Sequence, residues 1–417
     1  MGVTPLKLLW VLLVVTTFNC LVSTSRAIDM PEGIADPEKA IKDPMYSDPV
    51  FFWRYTSRPA NTREPGEYFY WPDAVIKGSP DAFLPAATGR QRAISEKALG
   101  EMAAWAEAHQ STALIVVRAG RVEFEKYWNG TTADDLLNGR ALTRSVTPML
   151  LGFAVADGKV GLDDPIGRYI SEWANDRRGK VTVRQLAQNV SGLEVTPETP
   201  ETQILGNKDL CLVYCGDVVR AALSYDYAIP PGTRFESAQE NMQLLALVIE
   251  RAMGIAIQDL LSERVWKKIG AADATFQSDR PNGTARVMCC MRATPRDWAR
   301  LGVLISRDGQ WQGQQVLPKG WVKTMATPSA RNSSFGIGLW LGKPYDPMRT
   351  YFEGQPGVIP HSEPYLADDV RVMEGGGFRA VWMVPSHDLI IFRHGPGVPN
   401  WDHAYLVNTA IRGMKRK

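Results

Sequence analysis

The chain has 417 residues, of which 45% are hydrophobic and 22% are charged, which is the composition of a globular protein with enough apolar material for a large core. Its formal net charge of +2 at pH 7 gives no reason to expect nucleic acid or an anionic membrane surface as a partner. The histidines show no ligand spacing, so we expect neither a metal site nor another cofactor.

Residues 1–27 have the pattern of a secretory signal peptide. Lys7 supplies the positive charge, Leu8 to Phe18 form an apolar stretch, and Ser25-Arg26-Ala27 is a cleavage site with a small residue at each end. The apolar stretch is too short to span a bilayer, and no later segment reaches about 18 uninterrupted apolar residues. We therefore expect an extracytoplasmic protein, periplasmic or secreted, with no stable membrane span.

The remaining cysteines are Cys211, Cys215, Cys289 and Cys290. Oxidising surroundings favour disulfides, and these cysteines allow several pairings. Because a bond between adjacent cysteines is strained, we expect Cys289 and Cys290 to pair across to Cys211 or Cys215.

An N-terminal extension covers residues 28–90. It is rich in proline and aspartate, and its aromatic stretch at 51–71 predicts an ordered segment that wraps a core. Apolar residues then follow helical spacing from Arg90 to His109, and the segments 112–118 and 121–128 predict a β-hairpin whose second strand alternates. The alternation predicts one wetter face of the sheet.

The region of about 129–290 reads as a mainly helical insert. Two of its apolar helices are predicted to end at Gly254 and Gly270. The later segments predict a helix, three strands and a final helix, at 296–306, 336–341, 380–385, 389–393 and 401–412. Strands near both chain ends with helices between them predict an α+β fold, in which one antiparallel sheet is built from both ends and flanked by helices.

Seven landmarks occur in one order between about Leu99 and about Asn408. They are Ser145-Val-Thr, Asp157 to Pro165 with Tyr169, Thr182 to Leu193, Pro231 to Phe235, Asn241 to Leu245, Arg296 to Gly302, and Gly375 to Pro385. In this order they resemble the β-lactamase-related serine hydrolases, which include class C β-lactamases, D-alanyl-D-alanine peptidases, esterases and aminohexanoate-oligomer hydrolases. The resemblance implies a β-lactamase/transpeptidase-like domain over 91–417 and a cleft that takes a small-molecule or peptide-like ligand.

The resemblance also implies a set of site residues. Ser145 holds the nucleophile position, but Pro148 stands where the family has its lysine, and Ser237 stands where it has its tyrosine. Proline is tolerated in the first helical turn, so the change is acceptable structurally while it removes a base. Taken without the family, Ser145 is an N-capping serine before an apolar helix.

Four further positions fall on the family's substrate-binding elements. Gln239 retains an amide at the asparagine position and could bind a substrate carbonyl. Gly375 matches the motif glycine, and the N–H of Gly376 would complete an oxyanion hole with that of Ser145. Arg379 replaces a glutamine and could bind an anion. Without the resemblance, the glycines at 375–377 are interpreted as a glycine-rich bend before an edge strand.

Three hypotheses follow from these residues. The first is a secreted family member that has lost its acid–base residues and binds a ligand without hydrolysing it. The second is an active serine hydrolase with a substitute base, for which the candidates are Glu240, Glu374, His361, His387 and His394, with His361 preferred. The third is an envelope binding or scaffold protein that uses the aromatic stretch at 51–71.

Overall fold

The computed structural model describes residue 48 and residues 50–56, 72–195 and 207–415. The predicted signal peptide and the part of the aromatic stretch at 57–71 lie outside these residues. The helices are α1 Phe51–Thr56, α2 Glu96–Ala108, α3 Val146–Ala156, α4 Val183–Ala187, α5 Lys208–Tyr214, α6 Val218–Leu223, α7 Gln239–Met253, α8 Ile257–Leu261, α9 Pro295–Ser306, α10 Trp321–Met325 and α11 Tyr405–Arg412.

Fourteen short strands form the described sheets. They are β1 Asp73–Ile76, β2 Ala113–Arg118, β3 Arg121–Tyr127, β4 Leu137–Asn138, β5 Ala274–Gln277, β6 Met291–Ala293, β7 Gln310–Trp311, β8 Gln314–Gln315, β9 Trp340–Leu341, β10 Met348–Arg349, β11 Ile359–Pro360, β12 Arg371–Gly375, β13 Arg379–Val384 and β14 Leu389–His394.

The main sheet joins the two ends of the described chain. Its order is β3-β2-β14-β13-β12-β9, and every pair in it is antiparallel. The pair of β2 and β14 runs from Ala113 opposite His394 to Arg118 opposite Leu389. The predicted α+β architecture is confirmed.

Both faces of the sheet are covered at β2, whose first five residues are buried. In β3, whose alternation predicted a wetter face, the buried residues are the consecutive Val122 and Glu123, so burial does not alternate as expected. Leu114 and Val116 belong to a core shared with α2 and α11, whereas Ile115 and Val117 belong to the core shared with α9. Because neighbouring residues of a strand point to opposite faces, two helical layers bury β2 completely.

The helical region matches its predicted stops. α7 ends at Gly254 with φ 68°, and the helix that begins with α8 runs on through irregular turns to Gly270, which also has φ 68°. A four-stranded sheet in the order β1-β5-β6-β4 was not predicted. Strands of two to four residues leave too short a pattern to recognise.

Two predictions about the C-terminal strands need correction. The strand expected at 336–341 is reduced to Trp340–Leu341, because the residues before it form a turn with Gly338 at φ 70°. The bend at Gly376–Phe378 joins β12 to β13, and β13 is an interior strand between β12 and β14.

The disulfides also differ from the expected cross-pairing. Cys211 bonds to Cys215, and Cys289 bonds to Cys290. Cys211 and Cys215 lie one helical turn apart at the end of α5, so each already has a partner within reach along its own segment.

The described part of the aromatic stretch packs against the domain. Phe51 and Tyr55 are buried and stack on each other, and both rings contact Tyr214 edge-on. Trp53 is half exposed. In the described residues, no helix combines the length and apolarity that a bilayer crossing needs. Within the same residues, no cluster of three or more acidic, histidine or cysteine side chains is arranged to hold a metal ion.

Candidate active site

Ser145 lies at the junction of two helical segments. A 3₁₀ helix covers Arg140–Ser145, and α3 starts at the next residue. Ser145 occupies the N-cap position, yet its side chain makes no capping hydrogen bond. Its Oγ donates instead to the carbonyl oxygen of Gly338 over 2.6 Å, and the residue is only 4% exposed. The capping interpretation is therefore not supported by the hydrogen bonds of Ser145.

Pro148 is the third residue of α3 and contacts the same turn. A first-turn residue has no intrahelical partner for its N–H, so proline costs α3 no hydrogen bond. The Pro148 carbonyl accepts from Trp321 Nε1 over 3.1 Å. A Cβ added at Gly338 would lie 2.5 Å from Pro148 Cγ, so the ring presses directly on the turn that covers Ser145. Pro148, which the sequence resemblance assigns to the lysine position, therefore packs against this turn.

Ser237 and Gln239 lie at the start of α7. The Ser237 N–H donates to Tyr351 O and its carbonyl accepts from Arg144 Nη1, both over 2.9 Å. Gln239 Nε2 donates to Asp209 Oδ2 over 3.2 Å. The Gln239 amide is therefore engaged with a carboxylate of the protein.

A buried charged cluster lies behind Ser145. Burial lowers the pKa of Arg144, with Asp209 and Glu240 opposing the shift, and Arg144 Nε donates to Met288 O over 2.9 Å. Glu240 is 1% exposed, and neither of its carboxyl oxygens has a hydrogen-bond partner among the described residues. Burial and then the charge of Asp209 raise the pKa of Glu240 well above its usual value. Glu240 is therefore held as a neutral acid over a wider pH range than an exposed carboxyl.

The glycine motif forms the end of β12. A Cβ at Gly375 would lie 2.4 Å from the carbonyl oxygen of Gly139, so only glycine lets the strand end approach the segment before Ser145 this closely. Gly376 lies beside Arg140, whose Cδ would be 3.4 Å from a Cβ at this position. β12 and the residues before Ser145 are therefore in direct contact.

Arg379 lies inside the protein, 1% exposed. Its Nη1 donates to Gly376 O over 2.6 Å, and its Nε donates to His394 Nε2 over 2.9 Å. These contacts hold the β12–β13 bend. An anion-binding role for Arg379 has no support from this position, because its guanidinium faces protein atoms.

The space beside Ser145 is small. Its volume is about 20 Å³, enough for one or two water molecules. Ser145 and the candidate base Glu374 are in its wall. The other predicted positions are not among the described residues that line it: Pro148, Ser237, Gln239, Gly375, Gly376 and Arg379. The lining residues are Ala141, Arg144, Ser145, Asn189, Met242, Phe335, Gly338, Trp340 and Glu374.

Glu374 is the candidate base that shares this space with Ser145. Arg349 Nη2 and the Tyr351 hydroxyl both donate to its carboxylate, and His403 Nε2 lies 3.0 Å from its Oε2. Burial would raise the pKa of Glu374, but Arg349 and His403 outweigh it and hold the pKa below its usual range. A carboxylate held in this way is a weak base.

The histidines proposed as bases lie elsewhere. His361 lines a neighbouring pocket with Arg349, and burial, followed by His403 and Arg349, lowers its pKa to about 3. His394 is buried against Arg379, and His387 is on an exposed turn beside Ser386. Glu374 is among the candidate bases expected from the sequence, but no sequence pattern indicates its partners at 349, 351 and 403.

A family model described as "Beta-lactamase" matches residues 54–400. The chain belongs to the β-lactamase family. Among curated proteins, this β-lactamase family member is 23% identical to the 6-aminohexanoate-dimer hydrolase of Paenarthrobacter ureafaciens over 229 residues, which are 53% of this chain and 58% of that hydrolase. The chain thus matches little more than half the length of that relative.

Solved structures similar to this β-lactamase family member support its fold. A proposed 6-aminohexanoate-dimer hydrolase from Bacillus anthracis matches with a TM-score of 0.66 and 20% identity, covering 82% of this chain and 90% of that one. A penicillin-binding protein homologue from Caulobacter crescentus matches with a TM-score of 0.57 and 14% identity, covering 78% and 99%. The β-lactamase/transpeptidase-like fold expected from the sequence is confirmed, as is the family.

Proposed function

We propose that this β-lactamase family member is an extracytoplasmic, catalytically impaired protein that binds an ester, amide or peptide-like ligand without hydrolysing it. The observation that carries the proposal is the hydrogen bond from Ser145 Oγ to the Gly338 carbonyl. A carbonyl oxygen accepts a hydrogen bond but does not remove the proton, so this contact leaves the hydroxyl un-ionised.

The loss of both proton carriers supports impairment. A general base contributes about 10²- to 10⁴-fold in rate, and the loss of residues that act together can cost more. Pro148 has no titratable group, and Ser237 offers an aliphatic hydroxyl in place of a phenol. An oxyanion hole alone leaves only weak residual catalysis.

The size of the space beside Ser145 limits what can enter. A volume of about 20 Å³ admits a group of water size, so a larger part of a ligand requires some of the residues that line the space to move. Burial of Ser145 likewise reduces access for an acyl donor. The ligand class is inferred from the family's chemistry, since the family's clefts take esters, amides and peptides.

Labelling of Ser145 tests the impairment. Purified wild type is treated with a fluorophosphonate and with a fluorescent penicillin, beside the Ser145→Ala variant, and adduct mass is measured. We expect both proteins to stay unlabelled. Stoichiometric acylation of wild type but not of Ser145→Ala would overturn the proposal.

Ligand binding is tested separately by fluorescence polarisation of the same fluorescent penicillin. We expect reversible binding that dilution releases and that Phe335→Leu strengthens by widening the space beside Ser145. If polarisation does not change up to millimolar protein, the ligand-binding part of the proposal fails while the impairment stands.

The extracytoplasmic location rests on the pattern of residues 1–27 and agrees with the paired cysteines, because disulfides persist in oxidising compartments. Expression of the full chain in a host with a secretory pathway, followed by N-terminal sequencing, should give a mature chain that starts at Ile28. Recovery of uncleaved protein from the cytoplasm would contradict this location.

One observation favours the second hypothesis, an active hydrolase. The Glu374 carboxylate lines the same small space as Ser145, so among the candidate bases it is the one placed to act on the Ser145 hydroxyl. Hydrolysis of a p-nitrophenyl ester decides between the hypotheses: an active enzyme would lose its rate in both Ser145→Ala and Glu374→Gln. Equal rates for wild type, both variants and buffer are expected for the impaired protein.

A further inference from the structure

The two disulfides among the described residues differ in their exposure to solvent. Cys211 and Cys215 are each 1% exposed, and Cys290 is fully buried. Cys289 is partly exposed and is therefore the cysteine that a reagent in solution can reach. Because thiol–disulfide exchange requires access to a sulfur atom, the two bonds should react at different rates.

The adjacent pair also holds the residues that precede Ser145. The hydroxyl of Thr143 donates to the Cys289 carbonyl over 2.9 Å and accepts from the Met291 N–H over 3.2 Å. The next residue, Arg144, donates through Nε to the Met288 carbonyl over 2.9 Å. The backbone at 288–291 thus fixes two consecutive residues immediately before the candidate nucleophile.

The buried disulfide Cys211–Cys215 is held by contacts with two arginines. Arg286 Nε donates to the Leu212 carbonyl over 3.1 Å, and its Nη2 donates to the Cys215 carbonyl. Arg54 Nη1 also donates to the Cys215 carbonyl, over 2.9 Å. A reagent reaches this disulfide only after these buried contacts open, so it serves as an internal control for the first.

We propose that Cys289–Cys290 is a reversible thiol–disulfide site whose redox state controls the order of the segment that carries Ser145. The reductant is a small dithiol or a dithiol protein. Its thiolate attacks Cys289 Sγ, the S–S bond breaks, and Cys290 leaves as a thiolate that takes up a proton. The second thiol of the reductant then releases Cys289 as a thiol, so one protein disulfide is reduced while the dithiol is oxidised to a disulfide.

Reduction opens the small ring that the adjacent cysteines close. The peptide between Cys289 and Cys290 regains torsional freedom, and the carbonyls at 288 and 289 are no longer fixed toward Arg144 and Thr143. The segment 140–152 therefore becomes more mobile when the bond opens. This site lies outside the chemistry of Ser145 and does not depend on whether the protein hydrolyses a substrate.

Differential alkylation under native conditions tests the reactivity. The full folded chain is treated with graded dithiothreitol, quenched with iodoacetamide, digested and mapped by mass spectrometry. We expect Cys289 and Cys290 to be alkylated at least about tenfold faster than Cys211 and Cys215. Equal rates for all of them, or a native cross-link between the two pairs, would overturn the proposal.

Hydrogen exchange tests the coupling. We expect dithiothreitol to raise the exchange of backbone amides in 140–152 by about tenfold, and reoxidation to restore it. In the double variant Cys289→Ser with Cys290→Ser, exchange there should already be high and insensitive to the reductant. Unchanged exchange in reduced wild type would refute the coupling even if the double variant failed to fold.

Discussion

The hydroxyl of Ser145 and the carbonyl of Gly338 are joined by a hydrogen bond of 2.6 Å, across 193 residues of chain. The turn that provides this carbonyl also rests on the ring of Pro148. Pro148 therefore packs against the turn whose carbonyl accepts the hydrogen bond from Ser145.

Replacement of Ser145 by alanine should have a structural effect and no catalytic one. Loss of the bond to Gly338 leaves a buried carbonyl unsatisfied, so the free energy of unfolding should fall by about 1 kcal/mol. Urea denaturation measures this change, and ester hydrolysis should match the wild type. A fall in hydrolysis by more than about tenfold in the variant would identify Ser145 as a working nucleophile.

Gly338→Ala should destabilise the protein by about 1–3 kcal/mol. Gly338 has φ 70°, which alanine adopts poorly, and the new Cβ would overlap Pro148 Cγ at 2.5 Å. Pro148→Ala alone should cost about 0.4–1 kcal/mol through the greater freedom of the unfolded chain.

The double variant Gly338→Ala with Pro148→Ala separates the two causes. Removal of the ring relieves the overlap but not the backbone strain. The double variant should therefore lose about 1 kcal/mol less unfolding free energy than the two single variants lose together. Strict additivity in urea denaturation would mean that the ring and the turn do not press on each other.

The double variant Pro148→Lys with Ser237→Tyr should not gain hydrolytic activity. The variant carries a lysine and a phenol, but the space beside Ser145, which Phe335 and Trp340 help to line, is only about 20 Å³. The rate of p-nitrophenyl ester hydrolysis should stay near that of buffer, with Ser145→Ala in the same background as the control. A serine-dependent gain of about 10²-fold or more would show that the turn yields easily to substrate.

Glu240→Gln should stabilise the protein at neutral pH. The pKa of Glu240 is raised in the folded state, by burial and by Asp209, so the folded protein holds a proton that the unfolded chain releases. The contribution of Glu240 to the free energy of unfolding is greatest below its pKa in the unfolded chain, about 4.3. It falls as the pH rises toward the pKa of Glu240 in the folded protein. Glutamine does not titrate, so position 240 adds no pH dependence to the stability of the Glu240→Gln variant.

The measurement is urea denaturation of both proteins at several pH values. The difference in unfolding free energy should be small near pH 4 and should grow with pH to about 1–3 kcal/mol in favour of glutamine. A constant difference across this range would mean that Glu240 does not titrate with a raised pKa.

The elements that the sequence predicted are those with a strong local pattern. Gly254 and Gly270 end their helices in the left-handed conformation as expected, and the hairpin of β2 and β3 lies where alternation placed it. The family landmarks likewise predicted the fold, because their order along the chain is a property of sequence alone.

The features that were missed depend on contacts between distant segments. The contact of Gly338 with Ser145 and Pro148 leaves no local signal, and a glycine in a short apolar run is equally compatible with a strand. The partners of Glu374 come from two distant segments, one with Arg349 and Tyr351 and the other with His403, so their approach cannot be inferred from spacing. The cysteine pairing was mispredicted because each cysteine bonds within its own segment.

The central position of β14 has a consequence for how the protein is made. Thr112 and His394, which are 282 residues apart, hydrogen-bond where β2 meets β14. A growing chain that lacks residues 389–394 has its sheet split at the middle, with β3 and β2 separated from β13, β12 and β9. The main sheet is therefore completed only after residue 394 has been synthesised, and closure of so long a loop is slow. Until then, the two parts of the sheet have no strand through which to join.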